Sequence, residues 1–243
     1  MSELFPEAFD EQIRPIKVDY MPSAEVLEAI RPVSLVAIAG PSGVGKDTLQ
    51  RELALPRIVS DTIRPPETRD GKLEQTGHEY HFRGGDLDGV LTDVREGRYV
   101  QFDTPRPKTF YGSRAAVYPE SGPAIIDVVA SSLEVVRSLP FEGVHSVFVV
   151  APSMEAWQKR LNGRGDLAER YREAQGSLEL ALADDRTVFI VNEDGRLDRA
   201  AAEIMQVVDN ELSLARQERA RELGQVMLAG IEAHNAKNLA PIS

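Results

Sequence analysis

Gly40, Pro41, Ser42, Gly43, Val44, Gly45, Lys46 and Asp47 follow directly on an apolar run at residues 33–39. A buried strand that stops at a glycine-rich turn and opens a helix aims several backbone N–H groups, and the positive end of the helix dipole, at one point. Such a point suits a polyphosphate, and Lys46 adds a mobile point charge for the outer phosphates. The match to G-x-x-x-x-G-K-[ST] is complete up to its last position, where Asp47 replaces the hydroxyl residue that normally ligates Mg²⁺. Mg²⁺ takes oxygen ligands and keeps waters, so Asp47 can hold it directly or through water. Thr48 is a second candidate, although one position further along a helix it points elsewhere. An ordinary strand-to-helix turn would account for the glycines and leave Lys46 without a reason.

A second constellation lies between residues 60 and 121, where Arg64, Arg69, Tyr80, Arg83 and Tyr111 occur among short polar runs, glycines and aromatics. Guanidinium forks and phenol hydroxyls are suited to phosphate oxygens. His78 and His81 flank Tyr80 and have no third ligand beside them, so they are not read as a metal site.

Elements must position these groups. Strand patterns occur at 57–59, 99–102, 124–129, 146–150 and 188–191, separated mostly by segments of helical character. That alternation predicts an α/β fold with a parallel central sheet and helices on both faces. Residues 1–32 read as an extension interrupted by Pro6, Pro15, Pro22 and Pro32, with one helix from Ser23 to Ile30 capped by Ser23. Residues 154–162 read as a helix broken at 163–165 and resumed from 167 to 182, which predicts a lid at about 163–171. A long amphipathic pattern runs from 197 to about 236, weakly broken at Gly224 and Gly230. The domain reading is an extension at 1–32, a core domain at 33–209 with an insertion at about 60–121, and a C-terminal helical extension at 210–243.

The chain has 243 residues, no cysteine and a net charge of −11. Disulfides, thiolate nucleophiles and cysteine-rich zinc sites are excluded. The charge gives no broad basic surface for a nucleic-acid polymer, whereas a local arginine cluster can still hold a small anion. The N-terminus is acidic and broken by proline, and no apolar run approaches the ~20 residues of a membrane span, so a soluble cytoplasmic protein without a membrane partner is expected. Homodimerisation is left open.

From about residue 33 to 205 the chain resembles guanylate kinase, within the P-loop nucleoside monophosphate kinases. The resemblance rests on the glycine loop, Ser60-x-Thr62-x-Arg64-Pro65, Glu79-Tyr80-His81-Phe82, Tyr111-Gly112-Ser113, Arg160-Leu161-x-x-Arg164-Gly165, Ala174-Gln175 and Ile190-Val191-Asn192. It implies a P-loop three-layer α/β/α fold, ATP and Mg²⁺ as cofactors, and a nucleotide acceptor. It implies that Ser60, Arg64, Tyr80 and Tyr111 hold the acceptor phosphate and that Ser113 lies by the acceptor base. Arg160, Arg164 and Arg170 resemble the lid arginines that close over the transferred group, and Asn192 the residue beside the adenine. Asp127 takes a Walker-B-like position, suited to orienting metal-bound water.

The chain departs from the family at several points. Glu67 stands where a second phosphate-binding arginine is usual, and only Arg69 is near enough to substitute. Gln101 replaces the glutamate that reads guanine, offering one acceptor and one donor in place of two acceptors. Asp103, two residues on and on the same strand face, could supply the missing acceptor. Val129 stands where a second acid usually follows Asp127, and the lid is several residues short. The expected reaction is phosphorylation of a nucleoside monophosphate, GMP or dGMP, by ATP. The loop ending Gly45-Lys46-Asp47 is also similar to that of ribose 1,5-bisphosphate kinase, whose acceptor is a sugar phosphate. A third reading is a non-catalytic guanylate kinase-like module that binds partner proteins, although such modules lose the ATP loop and keep the acceptor pocket, the reverse of this pattern.

Overall fold

The apolar run after Pro32 becomes strand β1 (Val33–Ala39), buried at every position but Ser34. Burial of nearly every side chain is what a strand covered on both faces requires. The computed structural model describes residues 6–69, 71–162 and 165–238. β1 is the middle strand of a sheet of order β11-β10-β1-β9-β2, with β2 at Arg57–Ile58, β9 at Gly122–Asp127, β10 at Gly143–Val150 and β11 at Val188–Val191. The central sheet is parallel, as predicted; β10 and β11 pair from Val147 with Val188 to Val150 with Val191.

By internal contacts the chain forms two compact units, and β1 and β9 each pass from one into the other. The first comprises residues 1–35, 56–124 and 134–143. Its own sheet has the order β6-β3-β8-β7, with β3 at Asp61–Thr62, β6 at His81–Phe82, β7 at Tyr99–Asp103 and β8 at Tyr111–Arg114. The predicted strand at 99–102 therefore belongs here and not to the central sheet. A small hairpin, β4 (Thr68–Arg69) and β5 (Lys72–Leu73), lies between β3 and β6 in sequence.

Helices α1 (Pro6–Val18) and α2 (Ala24–Ile30) precede β1, and α4 (Leu87–Arg95) precedes β7. Ser23 caps α2 as expected, its Oγ accepting from the Val26 N–H at 3.3 Å. Helix α1 was not foreseen, because Pro6 and Pro15 read as breaks. Pro6 sits at the first helical position, where an N–H is not needed, and Pro15 forgoes one intrahelical bond. Against that loss, Phe9 and Ile13 are wholly buried with Val90, Val94, Tyr99, Phe102 and Phe110, at roughly 1.5–3 kcal/mol per side chain.

The second unit comprises residues 36–55, 125–133 and 144–243. Helix α3 (Lys46–Glu52) follows the glycine loop, and α5 (Ser132–Ser138) begins at its border. Helices α6 (Met154–Leu161), α7 (Leu167–Ala183), α8 (Leu197–Val208) and α9 (Leu214–Asn238) complete the order. The long C-terminal pattern breaks after Val208, not at its glycines. Asn210 adopts a left-handed φ of 58°, the conformation that ends helices, and asparagine tolerates it better than most residues. Gly224 and Gly230 lie inside α9 as points of close approach: a Cβ on Gly224 would meet the Phe189 ring at 2.8 Å, and one on Gly230 the Met154 Cγ at 2.7 Å. Among the described residues no helix is long and apolar enough to cross a membrane.

Candidate active site

In the second unit, the loop after β1 turns on three glycines with positive φ: 146° at Gly40, 86° at Gly43 and 94° at Gly45. Two of them also leave no room for a side chain. A Cβ on Gly40 would fall 2.5 Å from the Val149 carbonyl of β10, and one on Gly45 2.4 Å from Asn192 Nδ2. The Lys46 ammonium donates to the Gly40 carbonyl at 2.7 Å and the Pro41 carbonyl at 3.4 Å, and lies 3.9 Å from Asp127 Oδ1. Lysine and the carboxylate that ends β9 thus meet at the loop. Asp47 is half-buried in the first turn of α3, and Thr48 is exposed.

The loop is braced from behind through its carbonyls. The Trp157 indole N–H donates to the Ser42 carbonyl at 2.9 Å, and Asn192 Nδ2 to the Val44 carbonyl at 2.8 Å. The Asn192 side chain is therefore engaged with the loop in this state. Arg160 reaches the Val44 carbonyl at 3.3 Å and the Asn192 carbonyl at 2.8 Å, while Asp194 Oδ1 accepts from it at 2.6 Å. This partner holds the exposed Asp194 carboxyl below the usual range, through the hydrogen bond first and the arginine's field second. Arg170 donates to Ser42 Oγ at 2.6 Å and to the Gly165 carbonyl at 2.8 Å. Of the expected lid arginines, Arg160 and Arg170 thus reach the loop; Arg164 lies outside the described residues.

In the first unit, register sorts the side chains of the second sheet. Gln101 pairs with Ser113 and Asp103 with Tyr111, and Tyr111 pairs with Thr62. Directly paired residues share a face, so Gln101, Asp103, Ser113, Tyr111 and Thr62 stand together. Tyr80 packs on Tyr111 with ring centroids 5.5 Å apart, and the Arg64 guanidinium lies 4.9 Å from the Tyr80 centroid and 5.5 Å from that of Phe82. Arg64, Tyr80 and Tyr111 are brought together as expected. Ser60 is buried, its carbonyl accepting from the His81 N–H at 2.9 Å. Gln101 Nε2 donates to Ser113 Oγ at 3.4 Å, and Ser113 shares a 2.8 Å hydrogen bond with the Tyr118 hydroxyl. Burial drives the Tyr118 phenol above its ordinary pKa, with the Ser113 bond opposing, so Tyr118 stays a neutral hydroxyl.

Besides Tyr118, sequence reading missed two charged partners of this face. Glu74 accepts from Arg64 NH1 at 2.6 Å and from NH2 at 3.0 Å, and also takes the Glu67 N–H at 2.9 Å. Burial opposes the Arg64 charge, yet the Glu74 bond and the fields of Tyr111, Glu74 and Glu67 leave its pKa raised. Glu67 itself stands 3.9 Å from Arg64. The second partner is Lys17 of α1, which is ion-paired with Asp103. No local spacing announces either contact, since the pairs are separated by an irregular hairpin and by 86 residues. Arg69 lies on β4, and its side chain is outside the described residues.

The sequence pattern groups Arg83 with these residues, and the structure engages it elsewhere. It donates to Asp93 at 2.5 Å, Asp86 at 2.5 Å and Asp61 at 3.3 Å, a network that ties β3, α4 and the turn before it. Among the described residues no three His, Cys, Asp or Glu side chains gather as a metal cluster.

A parallel α/β sheet with a braced phosphate loop, and a separate lobe presenting phenols and a guanidinium, define the class of P-loop nucleoside monophosphate kinases. The guanylate kinase family model matches residues 32–211, and the chain belongs to the guanylate kinase family. The guanylate kinase of Rubrobacter xylanophilus is 32% identical over 186 residues, covering 72% of this chain and 92% of that protein. That of Gloeobacter violaceus is 35% identical over 173 residues, covering 65% and 80%. A crystal structure of guanylate kinase from Anaplasma phagocytophilum superposes with a TM-score of 0.54 at 21% identity, covering 79% of this chain and 94% of that one. Kinase chemistry at a nucleotide-binding site is the general activity that this membership carries.

Proposed function

We propose that this protein transfers the γ-phosphoryl group of ATP to a nucleoside monophosphate, with GMP or dGMP as the acceptor. The observation that carries the nucleotide reading is the buried Gln101–Ser113 pair on the same face as Tyr111. A phosphate needs only the guanidinium and phenols, whereas a base needs a hydrogen-bonding edge, and Gln101 offers both an acceptor and a donor to one. The identity of the relatives as guanylate kinases supports guanine.

The acceptor's phosphate oxygen is already largely ionised near neutral pH, so no strong general base is required. Catalysis reduces to alignment and to neutralisation of charge. Lys46 would supply a cation to the outer phosphates, and Arg170, bonded to Ser42 in the loop itself, a second. Arg64, Tyr80 and Tyr111 would hold the acceptor's phosphate. The site fits Mg²⁺ by its donor set: Asp127 and Asp47 are hard oxygen ligands beside a glycine cradle, and either could hold the ion directly or through water. Bound there, the ion would offset charge on the phosphate oxygens.

The test is ADP release from Mg-ATP with GMP, dGMP, AMP, UMP, CMP and ribose 1,5-bisphosphate in parallel. Turnover with GMP or dGMP well above the others is expected. Activity on the sugar phosphate alone would replace this reading with the sugar-phosphate kinase. Absence of turnover on the whole panel, with a partner protein still bound, would favour the scaffold.

A further inference from the structure

We propose that α1 is a working part of acceptor recognition and that Lys17 is a positioning residue, cancelling the charge of Asp103 on the face that receives the acceptor's phosphate. The inference rests on the acceptor reading above and adds a residue and a segment that the family pattern does not supply.

Three ties fix α1 and the residues after it to the β7–β8 pair, apart from the buried Phe9 and Ile13. Asp10 accepts from the Lys108 N–H at 2.8 Å, in the loop joining the two strands, where Lys108 has a φ of 60°. Lys17 in the last turn of α1 bonds Asp103 Oδ1, which also accepts from the Thr104 N–H at 2.6 Å. Tyr20 donates to the Tyr99 carbonyl at 2.5 Å and packs edge-on against Phe102, with centroids 4.8 Å apart. Helix, loop and strand end are therefore one assembly, and it seats the Lys17 side chain on the buried Asp103 carboxylate.

The pair's position gives it a function. Asp103 lies directly across the ladder from Tyr111, a spacing of about 4.5–5.5 Å between Cβ atoms, and two residues from Gln101. A carboxylate there without its counter-ion would repel the dianionic phosphate that Tyr111, Tyr80 and Arg64 are placed to hold. The Asp103 side chain is 5% exposed, so water screens it poorly, and the Lys17 ammonium provides the compensation. With Glu67 and Glu74 already close to Arg64, this face has little positive charge to lose.

The experiment is steady-state kinetics of wild-type protein, Lys17→Met, Lys17→Arg, Asp103→Asn and the Lys17→Met/Asp103→Asn double variant, with the KM for acceptor and for ATP measured separately at low and high salt. Lys17→Met is expected to raise the acceptor KM about tenfold at low salt and less at high salt, leaving the KM for ATP in place. Lys17→Arg should restore most of the loss, and the double variant should bring the acceptor KM back toward wild type. Asp103→Asn alone keeps the shape and leaves the ammonium, so the acceptor KM should fall; this arm remains informative if Lys17→Met fails to fold. An unchanged acceptor KM in Lys17→Met, or a rise in Asp103→Asn, overturns the inference while leaving the kinase reading intact. If wild type neither phosphorylates nor binds, by calorimetry, any monophosphate of the panel, the kinase reading fails and this inference falls with it.

Discussion

Glu74 grips Arg64 with both carboxylate oxygens, at 2.6 and 3.0 Å, and both side chains are at least nine-tenths buried. Removing one member of such a pair strands the other charge in a poorly solvated place. Glu74→Ala should therefore lower the unfolding free energy by about 3 kcal/mol, measured by urea titration. A loss below about 1 kcal/mol would mean that water screens the pair as it does a surface ion pair.

Lys46 bonds the loop through the Gly40 and Pro41 carbonyls and approaches Asp127 at 3.9 Å. Lys46→Ala should leave the fold in place and reduce turnover by about 10²- to 10³-fold, the scale set by losing one group that stabilises developing charge. Circular dichroism and ADP release together check this. Full turnover in the variant would remove the lysine from the chemistry.

Gly224 and Gly230 offer a matched comparison within one helix. Alanine is favoured over glycine in a helix by about 1 kcal/mol, which acts equally at both. At Gly224 the new Cβ would meet the buried Phe189 ring at 2.8 Å, so overpacking should win and Gly224→Ala should destabilise by about 1–2 kcal/mol. At Gly230 the obstacle is the flexible Met154 side chain, and Gly230→Ala should fall within about 0.5 kcal/mol of wild type. Equal outcomes for the two would show that packing does not distinguish them.

His145 adds a pH dependence. Burial lowers its pKa below the ordinary 6.5, with the Asp209 field and the Val207 backbone bond opposing. A depressed folded pKa means that the unfolded chain takes up the proton first. The contribution of His145 is fully present above pH 6.5 and declines as the pH falls from there through the lower folded value. Chemical denaturation across pH 5–7.5 should show that decline in wild type and a flatter profile in His145→Gln; identical slopes would remove His145 as the source.

What the chain discloses in its own sequence is what lies close along it. The phosphate loop is contiguous, and each of its glycines answers a local demand: a positive φ, or the approach of Val149 and Asn192. The alternation at Tyr99–Asp103 correctly put Gln101 and Asp103 on one face, but alternation cannot name the neighbouring strand, so this strand fell in the smaller sheet. Pro15 was read by its local cost, which the burial of Phe9 and Ile13 outweighs from a distance. Glu74 and Lys17 look like ordinary surface charges until the fold brings Arg64 and Asp103 to them. The end of α8 did carry a signal in Asn210, which the two downstream glycines masked.

Trp157 is the chain's sole tryptophan, and its indole hydrogen bonds to the Ser42 carbonyl. Intrinsic fluorescence excited at the indole band therefore comes from a single chromophore touching the turn that would receive the triphosphate. On the proposed reading, that indole would serve as an optical gauge of donor occupancy, free of labels and of background from other indoles.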